Sequence, residues 1–164
     1  MRTLGIVILL IGLAVDASAS TSAQNPANLI YSQQFILNQV LLLKNLKLDD
    51  TKILPMLRFE SQTLLKDFQD AIEKQWHMRP DFFSSAYAVL QNTIYLIDED
   101  AYYKRTQRCM DDSLAHELTH YVQVLYQGAD LLNAADIDID GYEMDAIDVQ
   151  TRFREKFCSE AGVN

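Results

Sequence analysis

The fold is decided by one stretch of the sequence, DSLAHELTHYVQVLYQG, which occupies residues 112–128. Its apolar residues recur at the spacing of one helix face. These residues are Leu114, Leu118, Tyr121, Val122 and Leu125. Asp111 or Asp112 suits the start of a helix, and Gly128 suits its end. The sequence therefore predicts a helix over about residues 112–127 with one buried face.

This helix carries the pattern His-Glu-x-x-His at His116, Glu117 and His120. Side chains four residues apart lie on the same face of a helix, so both imidazoles can reach one metal ion. The pattern is typical of zinc sites in which the glutamate acts as general base on a metal-activated water. The chain has three histidines, and two of them stand here. We expect His116 and His120 to bind one Zn²⁺ per chain and Glu117 to be the catalytic base.

A catalytic zinc site takes three protein ligands, so a third must lie elsewhere in the chain. One class of zinc site places a glycine and a third histidine three and six residues after the second histidine, where this chain has Gln123 and Tyr126. That class is excluded. Glu143 lies near the start of the next predicted helix, about residues 140–157, which can return beside the first one. We therefore expect Glu143 to be the third ligand.

One alternative role for Glu143 stays open at this point. If Asp140 is the N-cap of its helix, Glu143 stands at the third helical position and completes a capping box instead of binding metal. The third ligand would then come from the neighbouring acidic residues, which are Asp130, Asp136, Asp138, Asp140 and Asp145.

The remaining elements predict an α+β fold with a small antiparallel or mixed sheet. A helix is expected within residues 28–46, and the proline in residues 53–59 suits an edge strand. Ser61 is expected to cap a helix that carries an apolar stripe through Leu64, Leu65, Phe68, Ala71, Ile72 and Trp76. Two β-prone runs, residues 86–90 and 93–97, predict a hairpin.

The start of the chain predicts export. Arg2 precedes an apolar run over residues 4–15 and then small residues, which is the pattern of a signal peptide over residues 1–23, cut after Ala19 or Ala23. Residues 24–164 are expected to form one secreted or periplasmic domain with no stable membrane span. Cysteines outside the cytosol are normally oxidised, so we expect a disulfide between Cys109 and Cys158.

The charge of the chain argues against nucleic-acid binding. The sequence has 23 acidic and 14 basic residues and a formal net charge of -9. A protein that neutralises phosphates needs a basic surface, which this composition does not supply.

The residues HELTH at 116–120, followed by EMDA at 143–146, resemble the gluzincin metallopeptidases, in particular the small bacterial minigluzincin form. The resemblance covers about residues 53–157. It implies a zincin-like fold, in which the edge hairpin packs on the active-site helix and a helix with the third ligand follows. The implied activity is zinc-dependent hydrolysis of a peptide or protein substrate.

The same resemblance implies how a substrate is held. The second strand of the hairpin would receive the peptide as an added strand, through Asn92, Thr93, Ile94 and Tyr95. Tyr121, Tyr142 and His77 are the candidates for stabilising the oxyanion, although His77 is also typical of a surface or packing histidine.

Two other functions fit parts of the sequence. The domain could bind zinc without turnover, but a purely structural site has no need of Glu117. The run over residues 136–141 matches the first half of an EF-hand loop, which would make the domain an acidic calcium-binding or partner-binding module. The second half of that loop lacks the expected residues, because Glu143 and Ile147 stand at positions eight and twelve.

Overall fold

The computed structural model describes residues 28–158 of the chain, which form an α+β fold. The predicted signal peptide lies outside the described residues. The elements are α1 (Gln33–Leu43), β1 (Met56–Phe59), α2 (Leu65–Trp76), β2 (Ala86–Ala88), β3 (Thr93–Leu96), α3 (Asp100–Thr106), α4 (Met110–Gln127) and α5 (Asp136–Phe157). Two short 3₁₀ helices, Glu60–Gln62 and Val89–Gln91, follow β1 and β2. Within the described part, none of the helices combines the length and apolarity needed to cross a membrane.

The three strands form one mixed sheet in the order β1-β3-β2. β3 pairs in parallel with β1 and antiparallel with β2, so Ile94 lies opposite both Leu57 and Tyr87. The predicted hairpin and the predicted edge strand are therefore confirmed. Asn92 turns the chain between β2 and β3 with a left-handed backbone, at φ 44°.

Helices cover both faces of this sheet. One face packs against α2 in a cluster of Phe68, Ala71, Ile72, Ala86, Ala88 and Tyr95. The other face presents Tyr87, Ile94 and Leu96 to the main core, which α1, α4 and α5 also build. Alternate residues of a strand point to opposite faces, and this explains why all four residues of β3 are buried.

Helices α4 and α5 form an antiparallel pair that is cross-linked at one end. Cys109, at the start of α4, is disulfide-bonded to Cys158, at the end of α5, as the sequence predicted. Further along the pair, the Gln150 amide donates to the Asp112 carboxylate at 2.8 Å. The other end of the pair is where α4 ends, at Gly128, whose φ of 74° confirms its predicted role as helix stop.

Helix α5 begins earlier than the sequence predicted. Its first residue is Asp136, and its N-cap is Ala135. The prediction that Asp140 is the N-cap is wrong, and Glu143 cannot complete a capping box because it lies inside the helix. Residues 136–141 are helical, which is incompatible with an EF-hand calcium loop. Carboxylates are favourable near a helix N-terminus, so this acidic run extends the helix instead of forming a loop.

Two other helix starts also differ from the prediction. Ser61 does not cap α2, which has Leu64 as its N-cap, and the Ser61 amide instead donates to Asp98 at 3.0 Å. The N-cap of α4 is Cys109, whose sulfur accepts from the amide of Asp112 while Asp112 closes the capping box. The short helix α3 had no counterpart among the predicted elements.

Candidate metal centre

Helices α4 and α5 bring the three predicted ligands together. His116 and His120 lie one turn apart on α4, with their Nε2 atoms 3.1 Å apart. Glu143 approaches from α5, with Oε1 3.3 Å from His120 Nε2 and Oε2 3.4 Å from His116 Nε2. The position of Glu143 follows from the antiparallel pairing, because the first part of α5 returns alongside the middle of α4. The group could therefore hold a metal ion.

The spacing of these donors is compatible with one shared metal ion. Zinc ligands at 2.0–2.1 Å from the ion are separated from one another by about 3.3 Å in a regular tetrahedron. The two Nε2 atoms are 3.1 Å apart, and each lies 3.3–3.4 Å from a different oxygen of the Glu143 carboxylate, so the separations are close to that value. Two imidazoles and one carboxylate are a donor set that occurs in catalytic zinc sites, and nitrogen and oxygen donors of this kind also suit other divalent metal ions.

The ring of His120 is oriented by its neighbour Gln123. The Gln123 amide nitrogen donates to the Tyr142 carbonyl at 2.9 Å and to Asp145 Oδ2 at 2.7 Å. Its oxygen therefore remains to accept a hydrogen bond from His120 Nδ1, 2.9 Å away. This arrangement places a proton on His120 Nδ1, which is the protonation at that nitrogen that allows Nε2 to bind a metal ion.

The chain of contacts continues to helix α1. Lys44 is paired with Asp145 and its side chain is only 7% exposed. Burial raises the pKa of Asp145, but the bonds from Lys44 and Gln123 outweigh it and hold that pKa below its ordinary value. Asp145 is thus a carboxylate that anchors Gln123, and through it His120.

The ring of His116 lacks such support. Its Nδ1 atom is buried and has no hydrogen-bond partner among residues 28–158. The ring of His120 is therefore oriented by a hydrogen bond at Nδ1, whereas the ring of His116 is not.

Glu117 lies beside the ligands and is 5% exposed. Burial raises the pKa of Glu117, and the nearby His116 and His120 only partly counteract this. The backbone of Tyr87 in β2 lies near its carboxyl group and has a small lowering effect on its pKa. This position beside the ligands is where the predicted base would act.

The charges of the ligands influence one another. Hydrogen bonds from His116 and His120 hold the pKa of Glu143 well below its ordinary value, despite the opposing effect of burial. Burial lowers the pKa of His120, but its bond to Glu143 and the charges of Glu117 and Glu143 outweigh burial and raise that pKa. Glu143 is therefore an anionic carboxylate in contact with both imidazoles.

A cleft of about 530 Å³ opens over this group. One wall is formed by Ser84, Ser85, Ala86 and Tyr87, which lead into and form β2. Apolar side chains supply much of the remaining lining, namely Trp76, Met78, Leu131, Leu132 and Ile139. The centre is thus accessible from a cleft that borders a strand.

The structure corrects the predicted substrate strand. Asn92 lies in the turn, where its side chain accepts a bond from Tyr87 and donates one to Ile53 O. Thr93, Ile94 and Tyr95 belong to β3, which is paired with β1 on one side and β2 on the other. An added strand needs a free edge, and β3 has none, so these four residues cannot receive a substrate in this way.

The other predicted residues are also placed by the structure. Tyr121 is fully buried and donates to the carbonyl of Ile53 at 3.1 Å, so it does not face the cleft. Tyr142 and His77 both line the cleft. Among the alternative ligands, Asp145 is committed to Lys44 and Gln123, Asp130 bonds to Asn133, and Asp138 and Asp140 are exposed.

No protein-family model, no curated protein and no solved structure matches this chain. The function is therefore inferred from the side chains of the chain and from their geometry. The residues that carry the inference are His116, Glu117, His120 and Glu143, together with the cleft above them.

Sequence reasoning missed Gln123 as a functional residue. Gln123 lies three residues after His120 on the same helix, a spacing at which side chains meet, so its contact with the ring could have been predicted. Lys44 gave no such signal, because it lies 101 positions from Asp145 in the chain.

Proposed function

We propose that the chain is an exported zinc-dependent peptidase of gluzincin type with a zincin-like fold. The observation that carries this proposal is the convergence of His116, His120 and Glu143, whose Nε2 and carboxylate oxygen atoms lie 3.1–3.4 Å apart, with Glu117 beside them. The floor of a cleft is the place where such a centre can meet a substrate.

When bound, Zn²⁺ supplies a Lewis acid that polarises a carbonyl and lowers the pKa of a coordinated water towards about 7. His116, His120 and Glu143 hold the ion, and Gln123 keeps His120 in the tautomer that can bind it. Glu117 accepts the proton of the attacking water and returns it to the leaving amine. Glu117 and Tyr87 both line the cleft.

A peptide is the substrate that this cleft fits best. β2 is an edge strand, and the residues 84–87 leading into it line the cleft. An extended peptide can add to a strand edge through main-chain hydrogen bonds, which places its carbonyl groups along the cleft. The apolar part of the lining would take up side chains of the peptide.

The substitution Glu117→Gln tests the proposal, because glutamine keeps the size of the side chain but cannot accept the proton. Hydrolysis of casein or of a peptide mixture should fall by a factor of about 100 or more, while the bound zinc is retained. Glu73→Gln is a matched control, since Glu73 is half exposed and pairs with Arg79 on the surface. This control should have the activity of the parent.

The outcomes distinguish two kinds of protein. Equal activity in the parent and in Glu117→Gln would contradict the mechanism. A parent that binds zinc but hydrolyses no substrate would instead be a zinc-binding protein without turnover.

A further inference from the structure

The β2 edge, defined as the side of β2 that faces away from β3, is already occupied near the candidate centre. In an antiparallel pair, alternate residues direct their backbone groups away from the partner strand. On the β2 edge the carbonyl of Tyr87 accepts a hydrogen bond from Gln75 Nε2 at 2.9 Å. Two residues further on, at the start of the 3₁₀ helix that follows β2, the amide of Val89 donates to Gln75 Oε1 at 3.0 Å.

One side-chain carboxamide therefore satisfies two backbone groups that an added strand would need. Gln75 lies near the end of α2 and lines the cleft together with Tyr87 and His116. The edge is thus closed on the Val89 side of Tyr87, whereas Ser84 and Ser85 line the cleft on the other side.

This arrangement has an energetic consequence for a bound peptide. Each backbone hydrogen bond contributes to binding only if the peptide does not have to displace an equivalent bond. To bond to the Tyr87 carbonyl and the Val89 amide, a peptide would have to displace the two hydrogen bonds of Gln75, so it would gain little binding free energy. A peptide that ends before these two groups displaces no hydrogen bond of Gln75 and loses no binding free energy.

We propose that Gln75 is a specificity-determining residue, which stops a bound peptide from pairing with the Tyr87 carbonyl and the Val89 amide at the end of β2. The site then accepts peptides that are short on one side of the scissile bond. This rests on the proposed function, because it concerns the substrate of the same centre. The competing explanation is that Gln75 only covers the sheet edge against association with another chain.

The test uses two series of peptides with the same scissile bond. One series is lengthened residue by residue on the amino side of that bond, and the other on the carboxyl side. In Gln75→Ala, the ratio of kcat/KM for the longest to the shortest peptide should rise about tenfold in one series, because two backbone groups become available. The series that responds gives the direction in which the peptide lies.

Two further variants control for effects on folding. Gln75→Met keeps the length of the side chain but lacks the carboxamide, and it should show the same change in length preference. Gln69→Ala removes a comparable bond from the same helix, in which Gln69 Nε2 donates to the carbonyl of Pro80 at 2.8 Å. Gln69 does not contact the β2 edge, so this variant should keep the length preference of the parent.

Each outcome supports or contradicts the proposed role of Gln75. If Gln75→Ala and Gln75→Met bind zinc and retain the length preference of the parent, Gln75 only covers the edge and the inference is wrong, while the peptidase proposal stands. A response in both series, or in Gln69→Ala, would also overturn it. If the zinc-loaded parent cleaves no peptide of any length, the proposed function fails, and the length preference fails with it.

Discussion

His120 is held more firmly than His116, and the difference lies in three polar side chains. Gln123, Asp145 and Lys44 form a chain of contacts from the Nδ1 atom of His120 to helix α1. Such partners increase the basicity of a ligating histidine and fix its orientation. The contribution of Gln123 should therefore appear in metal affinity and not only in stability.

The substitution Gln123→Met removes the acceptor for His120 Nδ1 while keeping the approximate volume of the side chain. We expect the zinc dissociation constant to rise by about 10-fold to 100-fold, as measured by competition with a coloured chelator. Gln150→Met is the matched control, because Gln150 is also buried and also bridges α4 and α5, but it bonds to Asp112.

Both variants should lose about 1–3 kcal/mol of stability, since each leaves buried polar partners unpaired. Only the first should lose zinc affinity. An equal loss of affinity in the two variants would mean that Gln123 acts through general stability and not through His120.

The residues of the centre could be predicted only where they lie close together in sequence or on consecutive helices. His116, Glu117 and His120 follow from spacing on one helix, which local sequence determines. Glu143 could be placed because one helix commonly packs against the next. The contact from Lys44 depends on how α1 packs beside α5, and no pattern in the sequence encodes that arrangement.

The start of helix α5 determines which role Glu143 can have. The sequence left open whether Glu143 caps a helix or binds metal, because Asp140 was expected to be the N-cap. With α5 starting at Asp136, Glu143 lies well inside the helix, and its carboxylate faces His116 and His120. Acidic residues favour both loops and helix N-termini, so composition alone could not locate the boundary.

Two substitutions on α5 test this placement. Glu143→Gln should weaken zinc binding by a factor of about 100 or more, because it removes the anionic ligand. Asp140→Ala should leave zinc affinity intact and change stability by less than about 0.5 kcal/mol, as is usual for an exposed residue outside a cap. Urea denaturation and chelator competition measure the two effects. A loss of about 1 kcal/mol in Asp140→Ala would indicate that Asp140 caps the helix after all.

The strands were predicted as elements, but the sequence did not predict their order in the sheet. Their alternating and apolar patterns indicate which residues form strands, whereas the partner of each strand depends on the whole sheet. β3 was expected to line the cleft, yet it is the central strand, because β1 joins it in parallel. The strand at the cleft is β2, and its edge is the surface that Gln75 closes.

At the scale of the whole molecule, helices α4 and α5 are linked to each other at two separate places. The disulfide joins the start of α4 to the end of α5, and the ligands join the middle of α4 to the first part of α5. Both links restrict the same two helices. When one link is lost, the other should therefore preserve part of the free energy of unfolding.

The double substitution Cys109→Ser, Cys158→Ser tests this relation. Serine at 109 can still act as an N-cap of α4, so the change isolates the loss of the cross-link. We expect the free energy of unfolding to fall by about 2–5 kcal/mol. Saturating zinc should recover part of the loss, because the metal binds the folded state selectively. If zinc leaves the urea denaturation curve unchanged, the metal does not join the two helices.

The zinc content of the purified protein tests the central claim most directly. After dialysis, elemental analysis should find close to one zinc per chain in the parent and in His77→Ala, which removes the histidine outside the ligand group. The variants His120→Ala and Glu143→Ala should have lost most of it. A parent that contains no zinc and cannot be reloaded, or a His120→Ala variant that retains a full equivalent, would contradict the assignment of His116, His120 and Glu143 as a zinc site.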